Sequence, residues 1–365
     1  MKAYLLLADG TVYEGKSCGA EGKQKGEVVF NTSLTGYRKL LTDPSNRGLI
    51  IVATYPLMGN YGLNDQEVES DEIQAAGLVM RECVDLPNHW QSKGRLRDYL
   101  KEKGTVALEG IDTRALTRRL RQKGAMAGVL VTGERSQEEL KALAEEARAE
   151  GEASRNLVAE VSVGEARILP PLREAESGSF LRLAVVDLGA GYGLINSLRS
   201  RGCEVALVPW NFSSSQVLDL QPAGVVVAGG PGNPAVLDEV VETVRQLIGK
   251  GVPLLGLGLG HLAAGLALGG KSQRMAFGHR GASYPVKDLE ADRFYITKQN
   301  HGYVLDESSL AQSEATVVLR NLNDQSIEGL VDRRRRVFTL QYFPSNWEDK
   351  ENMEYPLARF WELIA

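Results

Sequence analysis

Leu255-Gly256-Leu257-Gly258-Leu259-Gly260-His261-Leu262 decides how the C-terminal half of this 365-residue chain folds. Val252-Pro253-Leu254-Leu255 reads as a short buried strand, and His261–Leu268, rich in Ala and Leu, as an apolar core helix. Glycines at alternate positions join the two with no room for a loop. A buried strand ending in small-x-nucleophile-x-Gly and turning sharply into a helix is a nucleophile elbow. Its neighbours must be small because the nucleophile's backbone is strained. The next backbone N–H and the helix N-terminus then favour the negative charge that develops in acyl transfer. The nucleophile position here holds Gly258, which has no side chain. The same residues equally admit a plain tight turn made by Gly256, Gly258 and Gly260.

Working outward, Leu183-Ala184-Val185-Val186-Asp187 ends in a Gly-rich turn and leads into a helix around Leu194–Arg201. Gly224-Val225-Val226-Val227-Ala228 follows, then Gly230-Pro231-Gly232-Asn233-Pro234 and a helix near Leu237–Leu247. Short apolar strands alternating with helices specify an α/β fold with a doubly wound parallel sheet. Sites in such sheets lie at the carboxyl ends of the strands. The three Gly-rich turns are therefore predicted to converge on one crevice.

Gly258-x-Gly260-x-x-Ala263 also fits the dinucleotide fingerprint G-x-G-x-x-G/A. It falls in the third unit of its domain, and Lys271-Ser272-Gln273-Arg274 follows where an acidic residue is wanted. Gly189-x-Gly191-x-Gly193 is in the first unit but lacks the third glycine's spacing. A dinucleotide site thus rests on glycines alone.

The N-terminal half, residues 1–163, reads as a mixed α/β domain. Glu27-Val28-Val29-Phe30 and Leu49-Ile50-Ile51-Val52-Ala53 are strand-like, and Thr42-Asp43-Pro44-Ser45 and Met58-Gly59-Asn60-Tyr61-Gly62 are turns. Ser136 and Glu139 have capping-box spacing ahead of Leu140, Leu143 and Ala147, which predicts a helix. Pro170-Pro171 and Ser177-Gly178-Ser179 mark a linker over 164–180, and residues 181–365 form the second domain.

Composition narrows the function classes. The net charge of −5 has no clustering that suits a nucleic acid. Arg333-Arg334-Arg335-Arg336 lies between Leu330-Val331 and Val337-Phe338-Thr339-Leu340, so a solvated hairpin turn is predicted there. Met1-Lys2-Ala3-Tyr4-Leu5-Leu6-Leu7 is cut off by Asp9 and Gly10 and reads as a first strand rather than a signal sequence. No apolar run approaches the length of a membrane span. Cys18, Cys83 and Cys203 show neither CxxC spacing nor a disulfide framework, which suits a reducing cytoplasm.

Histidine is scarce, with only His89, His261, His279 and His301. Gln299-Asn300-His301-Gly302-Tyr303 and Phe277-Gly278-His279-Arg280-Gly281 have the composition of binding loops. A nucleophilic catalyst needs a base held by an acid. After His301 the chain contains no histidine.

Nearly the whole chain resembles the small subunits of carbamoyl phosphate synthases. Phe30-Asn31-Thr32-Ser33-Leu34-Thr35-Gly36-Tyr37, Leu41-Thr42-Asp43-Pro44-Ser45, Thr54-Tyr55-Pro56 and Gly110-Ile111-Asp112-Thr113-Arg114-Ala115-Leu116-Thr117-Arg118 carry the resemblance in the first half. Gly230–Pro234, Leu259-Gly260-His261, Phe277-Gly278-His279 and Gln299–Gly302 carry it in the second.

The resemblance implies a class I glutamine-amidotransferase domain with a Cys-His-Glu triad, releasing ammonia to a large subunit. That partner uses ATP and Mg, and the product serves arginine and pyrimidine biosynthesis. No cofactor is expected on this chain itself. The positions matching the family's glutamine site are Ser45, Gly230, Gly232, Leu259, Leu262, Asn300, Gly302 and Tyr303.

The departures fall on the chemistry. The family's Gly-x-Cys-x-Gly-His-Gln has Gly258 for its Cys and Leu262 for its Gln. The later Gln-Gly-His-Pro-Glu stands as Gln341-Tyr342-Phe343-Pro344-Ser345, so base and acid have become Phe343 and Ser345. The expectation is a subunit without glutaminase activity, in a complex that takes free ammonia. A second reading makes the surviving pocket a sensor of glutamine or a related small molecule.

Overall fold

The computed structural model of the chain describes residues 1–149, 155–173, 180–343 and 358–365. They fall into two compact units, Met1–Arg155 with Ala276–Arg280, and Asn156–Met275 with Gly281–Ala365. No helix among the described residues is long and apolar enough to cross a membrane.

The strands of the first unit are β1 (Lys2–Leu7), β2 (Val12–Ser17), β3 (Lys23–Asn31), β4 (Leu49–Ala53), β5 (Leu57–Met58), β6 (Gly77–Val79), β7 (Glu82–Cys83), β8 (Val106–Glu109) and β9 (Met126–Thr132). Seven of them close a barrel in the order β1-β2-β8-β6-β4-β3-β9, while β5 and β7 pair separately. The helices are α1 (Tyr37–Thr42), α2 (Leu96–Glu102), α3 (Thr113–Lys123) and α4 (Gln137–Ala149).

The two-residue period of a strand sorts the side chains. Ala3, Leu5 and Leu7 join Ile50 and Val52 in one cluster with Leu116 and Leu120 of α3. The alternate residues Tyr4 and Leu6 pack on Leu140 and Ala144 of α4, and Leu49 and Ile51 pack with Leu41, Leu96 and Leu100 of α1 and α2. The N-terminal apolar run is thus a barrel strand buried on both faces.

Caps end these elements as the sequence indicates. Ser136 N donates to Glu139 Oε2 at 2.7 Å and Glu139 N to Ser136 Oγ at 3.2 Å, a reciprocal capping box. Asp112 caps α3 through Ala115 N at 2.9 Å. Much of the motif around Asn31–Tyr37 is internal architecture. Asn31 Oδ1 accepts from Ser33 N at 2.8 Å, Tyr61 OH from Gly36 N at 2.6 Å, and Tyr37 OH donates to Gly62 O.

The second unit is built on a ten-stranded sheet. Its strands are β10 (Arg167–Leu169), β11 (Leu181–Asp187), β12 (Cys203–Pro209), β13 (Gly224–Gly229), β14 (Leu254–Gly258), β15 (Lys271–Asp288), β16 (Arg293–Asp306), β17 (Thr316–Asn321), β18 (Ile327–Asp332) and β19 (Val337–Leu340). Their order is β10-β12-β11-β13-β14-β19-β18-β17-β15-β16. The central run β12-β11-β13-β14-β19 is parallel. Helices α5 (Val158–Val161), α6 (Tyr192–Ser200), α7 (Ser214–Asp219), α8 (Asp238–Gly249) and α9 (Leu259–Ala267) accompany it, with a last helix at 358–364.

Alternation again assigns the layers. Val225 and Val227 of β13 face α8 and α9, whereas Val226 and Ala228 face α6 and Phe360. Both faces are covered, which explains why these strands read as continuous apolar runs. The sheet is doubly wound, as the alternation of strands and helices predicts. Arg333–Arg336 forms the turn between β18 and β19, with Arg333 paired to Glu290 and Arg334 to Glu314.

Three expectations differ from the structure. The first unit ends at Arg155 rather than 163, and part of the expected linker 164–180 is structured. Arg167-Ile168-Leu169 pair antiparallel with Val205–Leu207 as β10, because an edge strand needs only three residues and a free partner edge. Residues 174–179 of that segment lie outside the described residues. Phe277–Arg280, expected in a loop of the second half, count with the first unit. Ala125 N donates to Ala276 O at 2.7 Å, and the rings of Phe30 and Phe277 lie 5.7 Å apart.

Helix α9 lies directly on β13. An ideal Cβ at Gly260 would stand 1.9 Å from Val227 O, a backbone atom that cannot give way. Gly260→Ala should therefore lower stability by about 3 kcal/mol or more, measured by urea denaturation. A loss under 1 kcal/mol would contradict this packing.

Candidate functional site

β14 ends at Gly258, whose backbone has φ 58° and ψ −116°. A residue with a side chain holds such a conformation only under strain. Leu259 opens α9 immediately, so strand becomes helix across one residue. The elbow and the plain-turn readings of the sequence thus describe the same backbone. What separates them is the surroundings of residue 258.

A Cβ at Gly256 would meet Gly260 O at 2.6 Å, so both flanking glycines are closed off by backbone. Gly258 is different. The nearest atoms to a Cβ there are Cε2 and Cζ of Phe343, at 2.7 and 3.0 Å. The ring of Phe343 stands where the side chain of a nucleophile would begin. It arrives there because β19 runs parallel to β14, with Leu257 opposite Leu340, and the chain continues three residues further. Phe343 is then held by a bridge to Lys298.

The other Gly-rich turns converge on this point as predicted. Gly229 lies against Gly189 O, 2.1 Å from its would-be Cβ. Gly230, at φ 109°, lies against Leu188 O at 2.8 Å and Leu259 Cδ2 at 2.7 Å. The turns after β11, β13 and β14 therefore touch one another. Asp187 shapes the first of them, its carboxylate accepting from the N–H groups of Gly189, Ala190 and Val163 at 2.7–2.9 Å. Burial pushes its pKa up while these three hydrogen bonds oppose the shift.

The remaining candidate residues divide. Leu259 is buried at the first position of α9, and Gly232 follows β13 at φ 90°. Leu262 is buried in the core with Val227, Val240 and Ala263. Asn300, Gly302 and Tyr303 lie half-buried on β16. Ser45 belongs to the first unit, in the turn Pro44–Asn46, where Asp43 Oδ1 accepts from its N–H at 3.0 Å. Ser345 lies outside the described residues.

Neither histidine of the second unit's described residues is free to act as a base at the elbow. His301 Nδ1 faces Tyr303 O and its Nε2 faces Gln299 Oε1, both at 3.0 Å. Both ring nitrogens of His301 thus have hydrogen-bond partners on β16. The Gln299 amide turns its NH2 to Glu328 Oε2 at 2.9 Å, and Asn321 serves the other carboxylate oxygen at 2.9 Å. This buried network holds the Asn300–Gly302 stretch in place. His261 is fully buried, with Nδ1 2.7 Å from Thr339 Oγ1, and ties α9 to β19.

Two residues beside these were not singled out from the sequence. Tyr342, at the glycine of the family's Gln-Gly-His-Pro-Glu, is buried in the core of the α6 face. Gln341 is buried with neither amide atom hydrogen-bonded. Tyr342 was legible as a bulky residue at a glycine position; the isolation of Gln341 was not.

The contact between residues 258 and 343 predicts coupling. Gly258→Ala should cost about 1–3 kcal/mol from backbone strain alone, plus the clash with the ring. In a Phe343→Ala background the clash is gone, so the second cost disappears. Strict additivity in a double-mutant cycle of urea unfolding would contradict the contact.

Burial pushes the pKa of His261 down to about 3, from an ordinary 6.5. Below pH 6.5 the unfolded chain takes up a proton that the folded chain refuses, so stability falls as pH drops toward 3. The expected slope is about 1.4 kcal/mol per pH unit. His261→Asn keeps a partner for Thr339 and should flatten that slope, followed by denaturant midpoints between pH 7 and 4. An unchanged slope would remove His261 as its source.

Comparison with known proteins agrees with this geometry. Residues 5–130 match the family model "Carbamoyl-phosphate synthase small chain, CPSase domain", and residues 184–363 match "Glutamine amidotransferase class-I". The chain is 40% identical over 364 residues to the carbamoyl phosphate synthase pyrimidine-specific small chain of Bacillus subtilis, covering 100% of this chain and 96% of that one. It is 43% identical to the carbamoyl phosphate synthase small chain of Symbiobacterium thermophilum, covering 98% and 97%. It is also 43% identical to that of Methanopyrus kandleri, covering 94% of each. A barrel unit joined to a doubly wound unit with an elbow, matched over its full length at this identity, belongs to the carbamoyl phosphate synthase small chain family.

Proposed function

We propose that this chain is the small subunit of a carbamoyl phosphate synthase that has no glutaminase step of its own, so that its complex draws nitrogen from free ammonia. The observation that carries this reading is the ring of Phe343 against Gly258. Without a thiolate there is no acyl-enzyme route. In a comparable hydrolase, loss of the triad costs on the order of a million-fold in turnover. Leu262 adds to the loss, since a leucine supplies no hydrogen bond to a substrate amide. The partner is a large subunit that binds ATP and Mg and carries out the synthetic chemistry.

Nitrogen-donor assays on the complex with its large subunit test this. Ammonia should support carbamoyl phosphate synthesis, with glutamate release from glutamine at the background rate. Glutamine-dependent turnover equal to the ammonia-dependent rate would sink the proposal. Gly258→Cys alone should release no glutamate. The new side chain would meet the Phe343 ring, which stands at the position where the family carries its base. Recovery of glutaminase activity by that single change would count equally against the reading.

A further inference from the structure

Helix α3 of the first unit carries charge that the fold does not use. Most of the motif Gly110–Arg118 has an internal role. Asp112 caps the helix through Ala115 N at 2.9 Å, Thr117 Oγ1 donates to Thr113 O at 2.7 Å, and Leu116 is buried in the barrel core. Arg114 and Arg118 have no such role. Both are exposed, and Arg121, also exposed, extends them by one turn. At about 100° per residue these three fall within an arc of about 60° on one flank of the helix. Thr113, Leu116 and Leu120 are the buried side. A fourth exposed guanidinium stands at the start of the helix, where Arg81 Nη1 donates to Ile111 O at 3.3 Å and Arg81 O accepts from Gly110 N at 3.0 Å.

No carboxylate of the described residues pairs with any of these four arginines. Elsewhere in the same unit arginines do find carboxylates. Arg119, on the opposite flank of α3, pairs with Asp9 at 2.7 Å, and Arg97 pairs with Asp85 and Glu109 at 2.7 and 3.0 Å. The sequence of α3, TRALTRRLRQK, contains no acidic residue. Arg114 and Arg118 stand four apart and Arg118 and Arg121 three apart, spacings at which like charges repel across a helix surface. A local conflict of this kind, with no compensating contact inside the chain, marks a functional surface.

The chemistry of the row selects its partner. Guanidinium forks pair with carboxylates through two parallel hydrogen bonds. The row is about 10 Å long, seven residues at about 1.5 Å each, which suits one acidic helix or strand. The chain's net charge of −5 opposes approach to the polyanionic backbone of a nucleic acid.

We propose that Arg114, Arg118 and Arg121, with Arg81 beside them, dock a carboxylate-rich surface of the large subunit. This rests on the reading above that the chain works beside such a subunit. Opposite charge steers the encounter and fixes which flank of α3 meets the partner.

The test is the affinity of the full chain for its large subunit, measured by calorimetry. Wild-type affinity should fall between about 0.1 and 1 M NaCl, as the screening length drops from about 10 to 3 Å. Arg114→Glu combined with Arg118→Glu should raise Kd on the order of a hundred-fold at low salt and flatten the salt dependence. Lys141→Glu combined with Lys250→Glu, an equal reversal at exposed positions of α4 and the end of α8, should change Kd by no more than about twofold. The salt dependence of the wild type stands without either variant. A Kd indifferent to salt, or equal losses from the two double variants, would overturn the proposal. So would a short DNA duplex that the wild type binds and the Arg114 and Arg118 reversal releases, with affinity for the large subunit unchanged. These outcomes leave the nitrogen-donor result untouched, whereas a wild-type chain that binds no large subunit overturns both readings.

Discussion

The second unit depends on how closely helix α9 approaches the strand it leaves. The helix starts one residue after β14 and lies on β13 with nothing but the hydrogen of Gly260 between Cα and the Val227 carbonyl. That contact fixes the direction of α9, the position of Leu259 against Gly230, and the meeting of three turns at the strands' carboxyl ends. None of these depends on a nucleophile. The elbow is an element of packing first, and chemistry has to be added to it.

A glycine at residue 258 changes the energetics of the elbow. A side chain at φ 58° carries strain, a cost of order 1–3 kcal/mol that an enzyme sustains for activity. Glycine occupies the same conformation without that steric conflict. The volume released by the missing side chain is not left empty, since the Phe343 ring closes on it and Tyr342 is buried in the core beside it in sequence. Apolar filling avoids the cavity penalty that deletion alone would bring. Gly258 and Phe343 are thus one packing solution rather than two separate losses. The histidines of this unit are committed elsewhere, His261 to Thr339 and His301 to Gln299 and Tyr303.

The first unit draws its order from a closed barrel in which strands such as β1 and β4 bury both faces. Its family-specific motifs are largely explained by internal bonds, such as Tyr61 OH at Gly36 N and Asp43 at Ser45 N. The same dense packing buries Cys18 and Cys83 in one core cluster.

The sequence by itself determined the doubly wound sheet, the elbow and the hairpin at Arg333–Arg336. These rest on local periodicity and on glycine at positions where only glycine fits. It also places Gly258, Phe343 and Leu262 where the resemblance to the family implies Cys, His and Gln, because a side chain's identity is visible letter by letter. Tertiary structure alone decided what filled the space. That Phe343 lies on Gly258 follows from the register of β19 on β14, a pairing between segments some 80 residues apart. That Cys18 and Cys83 share one core cluster, that 276–280 count with the first unit and that Arg167–Leu169 form a strand follow equally from long-range packing and pairing. Such contacts are set by which strand edges and faces are free to meet, and that information is spread along the chain rather than held in any one stretch.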